Sequence, residues 1–376
     1  MKKTTFTWFA VLLALLVQVA TAQSWKSNGP LPRVYHSAVL DPSTKRMIVF
    51  GGYSPNTASG LDLNDVWRLN PSVSLAGLQN WIAVNPAGTP PSGRLGTPAV
   101  YDGGSNRMVL FGGSTDTGCA NDIWALTNAN GSSPSAWVQL TVLGNPPSAR
   151  AWPGNAYDAQ SHTLMVYGGN GCALGVLSDY WILTHADGVS GTPAWVQLSP
   201  LGGGPGPRTQ VSAVYDPTTN VFILFGGSDD QGVFYNDVWV LTNANGTGGT
   251  PTWTQLSPGG NPPTARHNNS ATYDPSTNRL TIFGGNNINT STIFGDTWVL
   301  TNANGTGGMP SWTQIAQSSA DFPAARFGHT AVYDSGTNTM TVFGGRVDLS
   351  INLATSDVFL LDRANGQSWA NGKTSN

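Results

Sequence analysis

RLTIFGG, Arg279 to Gly285, is a run of β-forming residues that ends in two adjacent glycines. One such run would mark only a turn, where φ is positive or two backbones approach closely. The chain holds six: RMIVFGG ending at Gly52, RMVLFGG at Gly113, TLMVYGG at Gly169, VFILFGG at Gly227, RLTIFGG itself and TMTVFGG at Gly345. The first glycines of the pairs, at 51, 112, 168, 226, 284 and 344, are spaced by 61, 56, 58, 58 and 60 residues. So steady a period over most of a chain defines a repeat architecture.

The rest of the unit repeats as well. In the fifth copy, NSATYD to Asp274 alternates like a half-buried strand, and DPSTN to Asn278 is a turn with Asp at its start and Asn where φ > 0 is wanted. RLTIFGG is the second strand. GDTWVLTNANG opens a third at Asp296 and Trp298, and SWTQI from Ser311 makes a fourth. Four short strands per unit, joined by tight turns, describe a propeller blade.

An Arg, a small-residue strand, a β run closed by Gly-Gly, then Asp-x-Trp and a lone Trp resemble the kelch motif. The resemblance covers all six units, which start near Arg33, Arg94, Arg150, Arg208, Arg266 and Arg326. It implies an all-β, six-bladed kelch-type β-propeller with four antiparallel strands per blade, one domain over 23–376. The period exceeds the roughly 50 residues of kelch repeats, largely through connections such as TNANGTGGTP between third and fourth strands. The tryptophans at 67, 124, 181, 239 and 298 on third strands, with Phe359, and at 81, 137, 195, 253 and 312 on fourth strands, are assigned to blade packing. The ring needs a closing strand. SWKSNGPLPR, with Trp25, supplies one from the N-terminus, and SWANG, with Trp369, competes from the other end.

Residues 1–22 read as a secretory signal peptide, with Lys2 and Lys3 ahead of an apolar run from Trp8 to Ala20 and the A-x-A site Ala20 to Ala22. The run is shorter than the roughly 20 residues that cross a bilayer, so no membrane span is expected after its removal. Export to a periplasm or beyond the cell, from a bacterium, is the expected localisation. In an oxidising compartment Cys119 and Cys172, a few residues after the glycine pairs of consecutive repeats, read as a disulfide between neighbouring blades. The other reading is two free buried thiols. A net charge of −3 without a basic tract points away from nucleic acid. All 20 acidic residues are Asp, so any mechanism that needs Glu is excluded.

Up-and-down strand order puts the loops after Gly-Gly on one face, together with the connections into the next Arg. Those loops diverge among copies, from YSPNTASGLDL to SDDQGVFY, while the turns on the other face recur nearly verbatim. Variation on a uniform scaffold marks the expected ligand face, with Asp229, Asp230 and Tyr235 as candidate contacts. The six repeat-initial arginines are a second candidate set, for acidic ligands. Pairing of each with a third-strand Asp (65, 122, 179, 237, 296, 357) is the stronger reading of those arginines.

Catalytic constellations are thin. No cofactor or metal is expected; the His36 and His329 offset belongs to the kelch pattern. Galactose oxidase is similar in its kelch propeller, and that family holds copper with two His and two Tyr, one Tyr cross-linked to Cys. Tyr167 lies near Cys172 in sequence, but both cysteines read as a pair. The periplasmic sialic acid mutarotase is another six-bladed kelch protein, and the lack of Glu weakens that analogy. The expected function is a non-catalytic module that binds an extracellular glycan or protein. The alternative is a carbohydrate-active enzyme, either a copper oxidase or an Asp-based lyase or hydrolase.

Overall fold

The computed structural model describes residues 29–56, 60–70, 80–316, 322–350 and 353–367. The expected signal peptide and both candidate closing segments, at Trp25 and Trp369, lie outside the described residues.

Five blades are four-stranded antiparallel sheets in sequential order, and the sixth shows three strands among the described residues. In blade 5 the strands are Ser270–Asp274, Arg279–Phe283, Thr297–Thr301 and Ser311–Gln314, with Ile282 opposite both Ala271 and Trp298. Besides strands, the described residues hold only two single-turn 3₁₀ segments, Cys172–Leu174 and Ile288–Thr290. The first strands of the six blades (Ser37–Asp41, Ala99–Asp102, Gly154–Asp158, Ser212–Asp216, Ser270–Asp274, Thr330–Asp334) pack side by side around the axis, the last against the first.

Second strands are continuous apolar runs because each is covered on both faces. Val221 to Phe225 is buried throughout: Phe222 and Leu224 pack toward blade 3, Val221, Ile223 and Phe225 toward blade 5. The fourth-strand tryptophans fill these junctions. Trp137 meets Phe50 of blade 1, Trp195 meets Phe111, Trp253 meets Tyr167 and Trp312 meets Phe225, at ring-centroid distances of 4.9–5.4 Å. Trp81 of blade 1 meets Phe343 of blade 6 at 4.7 Å, which closes the ring across the chain ends.

The glycine pairs serve the same junctions. In every copy the second glycine donates its N–H to the carbonyl of the next blade's arginine: Gly52 to Arg94, Gly113 to Arg150, Gly169 to Arg208, Gly227 to Arg266, Gly285 to Arg326 and Gly345 back to Arg33, at 2.8–3.0 Å. The first glycine has φ of 57–67°, and a Cβ there would stand 2.6–3.0 Å from that same carbonyl oxygen.

Gly29 lies against the Trp81 ring, much as Gly204 lies against Trp253 in the connection into blade 4. Residues 29–33 thus follow the path of an inter-blade connection. Asn245, in an Asn-Gly-Thr sequon, is buried and donates to Asp158 at 2.8 Å, so its amide is not open to modification.

Candidate functional site

The repeat-initial arginines sit inside their blades, 0–2% exposed. Each is bidentate to its own third-strand Asp: Arg33 to Asp65, Arg94 to Asp122, Arg150 to Asp179, Arg208 to Asp237, Arg266 to Asp296 and Arg326 to Asp357, at 2.5–3.1 Å. Each also donates to the carbonyl of its blade's first glycine and, through Nε, to a main-chain oxygen two or three residues earlier. These guanidinium groups are spent on structure. The side chain ties strands within one blade, while the arginine's carbonyl ties that blade to the one before. Burial works against ionised Asp122, Asp179, Asp296 and Asp357, and hydrogen bonds led by the arginine outweigh it and hold each below the ordinary range.

The third-strand indole completes this pairing by donating to the same carboxylate, as Trp181 does to Asp179 at 2.6 Å. Blade 6 has Phe359 there, and the Thr355 hydroxyl donates to Asp357 instead, at 2.7 Å.

Loops after Gly-Gly share one face, as expected, and touch their neighbours. Cys119 and Cys172 form a disulfide between the loops of blades 2 and 3. Asn289 donates to the Gly232 carbonyl across blades 5 and 4, and Asn56 exchanges hydrogen bonds with Ala354 across blades 1 and 6. Of the candidate contacts in blade 4, Tyr235 covers the Arg208 guanidinium at 3.7 Å and donates to Asp229 at 2.7 Å. Asp229 also accepts from the Gln231 and Val233 amides. Both side chains organise their own loop, and Asp230 is exposed beside them.

At the centre of this face the sequence reading missed a site. Two residues after each arginine stand Tyr35, Gly96, Trp152, Gln210, Asn268 and Gly328, all with φ of 52–62°. Their backbones form a closed ring of hydrogen bonds, each N–H donating to the preceding blade's carbonyl at 2.7–3.1 Å, with Tyr35 donating to Gly328. These residues and their successors enclose a cup of about 200 Å³ over the channel mouth. Gly96 and Gly328 leave room for aromatic neighbours: a Cβ at Gly96 would meet the Trp152 indole at 2.5 Å, and one at Gly328 would meet the Tyr35 ring at 2.8 Å. Trp152 and Tyr35 touch edge to face at 5.7 Å. Gln210, Asn268 and Asn269 line the same cup. Its lining residues hold four buried polar atoms without a hydrogen-bond partner: His36 Nδ1, Trp152 Nε1, Asn269 Oδ1 and His329 Nδ1. The signal in the sequence was the divergence of this position among copies, which only the common offset from each arginine could reveal.

His36 and His329 do not converge on a common point. His36 Nε2 pairs with the Thr330 hydroxyl at 2.7 Å, and His329 Nε2 with that of Ser270 at 2.9 Å. Burial, aided by the arginine charges, lowers His329 to about 3 and holds His36 well below the ordinary value; burial lowers His267 to about 4. Between about pH 3 and 6.5 the unfolded chain therefore binds protons that the native chain refuses, and stability falls as pH is lowered. A lower urea midpoint at pH 5 than at pH 7 is expected. His329→Asn, the residue blade 5 carries as Asn269, should flatten that slope, and an unchanged slope would contradict the assignment.

The architecture is a closed six-bladed propeller with a variable loop face. The sequence model of the KLHDC2/KLHL20/DRC7 Kelch-repeats domain matches residues 10–188 and 189–375. The chain belongs to the kelch-repeat family. The F-box/kelch-repeat protein At1g51550 of Arabidopsis thaliana is 32% identical over 225 residues, 57% of this chain and 43% of that protein. Tip elongation aberrant protein 1 of Schizosaccharomyces pombe is 33% identical over 172 residues, 44% of this chain and 14% of that protein. The matched segments thus span less than half of these curated relatives. The solved structure of YjhT superposes with a TM-score of 0.61 over 90% of this chain and 97% of that one at 14% identity, a likeness of fold alone.

Proposed function

We propose that this chain is an exported, non-catalytic binding module that takes a unit of an extracellular glycan into the central cup, with the loops after Gly-Gly as the rim. The observation that carries the reading is the cup itself. Aromatic side chains of Tyr35 and Trp152 stand beside the amides of Gln210, Asn268 and Asn269. A sugar ring offers an apolar face for the first and hydroxyls for the second, and pockets of this kind fix orientation with a few polar groups. Export rests on the apolar N-terminal run and agrees with the disulfide.

A protein surface is the second reading, favoured by exposed Leu61, Leu174, Val233, Ile288, Leu349 and Leu353 on the loop rim. A copper oxidase of the galactose oxidase kind lacks its cross-link here, because Cys172 is bonded to Cys119 and the Tyr167 hydroxyl donates to the Gly206 carbonyl.

Retention on a panel of neutral and acidic polysaccharides tests the proposal, with released or oxidised sugar assayed in parallel. Trp152→Ala is expected to weaken retention about thirty-fold, the loss of one aromatic anchor worth about 2 kcal/mol. Retention lost on Ile288→Asp but kept on Trp152→Ala would move the glycan site from the cup to the rim, and no retention by the wild type would favour a protein partner. Sugar product would overturn the non-catalytic reading.

A further inference from the structure

On the face opposite the variable loops, two blade junctions depart from the others: in blade 1 the turn residue is Lys45, which pairs with Asp334 of blade 6 at 2.6 Å, and blade 3 departs further. In blades 2, 4, 5 and 6 the loop between third and fourth strands carries an Asn whose amide donates to the hairpin Asp of the preceding blade. Asn130 reaches Asp41, Asn245 reaches Asp158, Asn304 reaches Asp216 and Asn365 reaches Asp274, at 2.7–2.9 Å. A second Asn, in the same blade's first turn (Asn106, Asn220, Asn278 or Asn338), donates to the loop Asn at 2.6–2.8 Å. Each junction therefore holds one carboxylate and two neutral amides.

Blade 3 changes both amides at once. The turn residue is His162 and the loop residue is Asp187, facing Asp102 of blade 2. His162 Nδ1 lies 2.7 Å from Asp102 Oδ2 and 3.6 Å from Asp187 Oδ2, and the two carboxylates are 0% and 1% exposed. Two buried carboxylates at one point are costly without a cation between them. The nearby Arg107 does not supply it, since its guanidinium donates to the Asp187 main-chain oxygen at 3.0 Å. Arg46 and Arg279 do the same at the junctions that hold Asn. His162 faces both carboxylates, and Asp187 also accepts from the Val189 and Ser190 amides and the Ser190 hydroxyl.

We propose that Asp102, His162 and Asp187 bind a divalent cation of the Zn²⁺ type, clamping blade 3 to blade 2. One donor atom from each residue lies within 4.8 Å of the others. Ligand atoms about 2.0–2.2 Å from a tetrahedral Zn²⁺ stand roughly 3.3–3.5 Å apart, between the two distances measured from Nδ1. One nitrogen and two carboxylate oxygens suit Zn²⁺, Co²⁺ or Mn²⁺ rather than Ca²⁺, which takes six to eight oxygens. The Tyr157 hydroxyl donates to Asp102 Oδ2 at 2.8 Å and orients that carboxylate. His162 is 30% exposed, which gives the ion a path from solvent and leaves a position for water.

The test is titration of the chelator-treated full chain with Zn²⁺ alone by calorimetry, and with Co²⁺ read by visible absorption. One ion per chain and a raised Tm are expected. The double variant His162→Asn/Asp187→Asn rebuilds the amide pair of the other junctions, so it should fold and bind at least a hundred-fold more weakly. His185→Asn, on a half-buried imidazole 3.2 Å from Ser190 Oγ, should bind as wild type does. No binding by the wild type would overturn the proposal. Binding that survives in the double variant would overturn it equally.

Discussion

Arg150→Met is expected to destabilise the propeller by about 3–5 kcal/mol, the usual cost of stripping one partner from a buried ion pair. The guanidinium lies in blade 3 at 0% exposure. It donates to Asp179 at 2.6 and 2.8 Å, to the Gly168 carbonyl at 2.9 Å and to Ser148 at 3.0 Å. Methionine fills most of the volume and supplies none of these donors, so the Asp179 carboxylate keeps the Trp181 indole, at 2.6 Å, and its own main-chain amide. Urea unfolding reads the loss. Adding Asp179→Leu should restore part of it, because the charge left alone is then removed, although the Trp181 N–H loses its acceptor. A loss below about 1 kcal/mol for the single variant would mean that solvent reaches Asp179 well enough to replace the arginine.

Gly168→Ala is expected to cost about 3 kcal/mol. Its φ of +60° carries about 1–2 kcal/mol for a residue with a Cβ. The added carbon would also stand 2.6 Å from the Arg208 carbonyl oxygen and 2.7 Å from that of Leu177. Arg208 O is the acceptor for the Gly169 N–H at 2.8 Å, so relief of the clash must open the backbone bond between blades 3 and 4. Gly203→Ala separates the two contributions: its φ is +75° and a Cβ there meets nothing within 4 Å. It should cost only the conformational part. Faster hydrogen exchange at the Gly169 amide in Gly168→Ala, with no change in Gly203→Ala, would place the loss at the junction. Equal destabilisation by both variants would refute the close-approach account.

The first experiment probes the inside of blade 3 and the second its seam with blade 4, and together they explain why Arg and Gly-Gly recur together. The next blade's arginine supplies the main-chain acceptor that the glycines approach, and the blade's own arginine side chain holds the strand from which the glycines turn away. A lone Gly-Gly or a lone Arg would be legible only as a turn or a charge. Six pairs at a steady spacing imply a contact repeated around a ring.

The candidate site was legible only in part. Loop divergence pointed to the face that carries the cup, and strand order alone sufficed for that because antiparallel up-and-down strands alternate their ends. Asp229 and Tyr235 look like ligand contacts in a linear reading since both are polar and lie on a variable loop. In the structure the Tyr235 ring lies on Arg208 and its hydroxyl on Asp229, a pairing that no spacing rule conveys. The cup was passed over for the opposite reason. Tyr35, Trp152, Gln210 and Asn268 are separated by more than 50 residues each and share no residue type, so nothing local connects them. Likewise Asp102 lies in one repeat and His162 and Asp187 in the next, and only the junction brings them together.

By itself, the sequence determined the blade count, the strand order within a blade and the face that varies, with Arg–Asp pairing as the stronger of two readings of the arginines. All of these depend on a local pattern repeated at a steady period. What only the tertiary structure decided is whatever lies between blades: the carbonyl that each glycine faces, the Trp81–Phe343 contact across the chain ends, the cup and the Asp102–His162–Asp187 cluster. The physical reason is that a repeat specifies each unit's own contacts, whereas a junction site joins departures from the repeat in two or more units. Which departures meet is settled by ring geometry, since each blade's loops pack against those of the blade beside it.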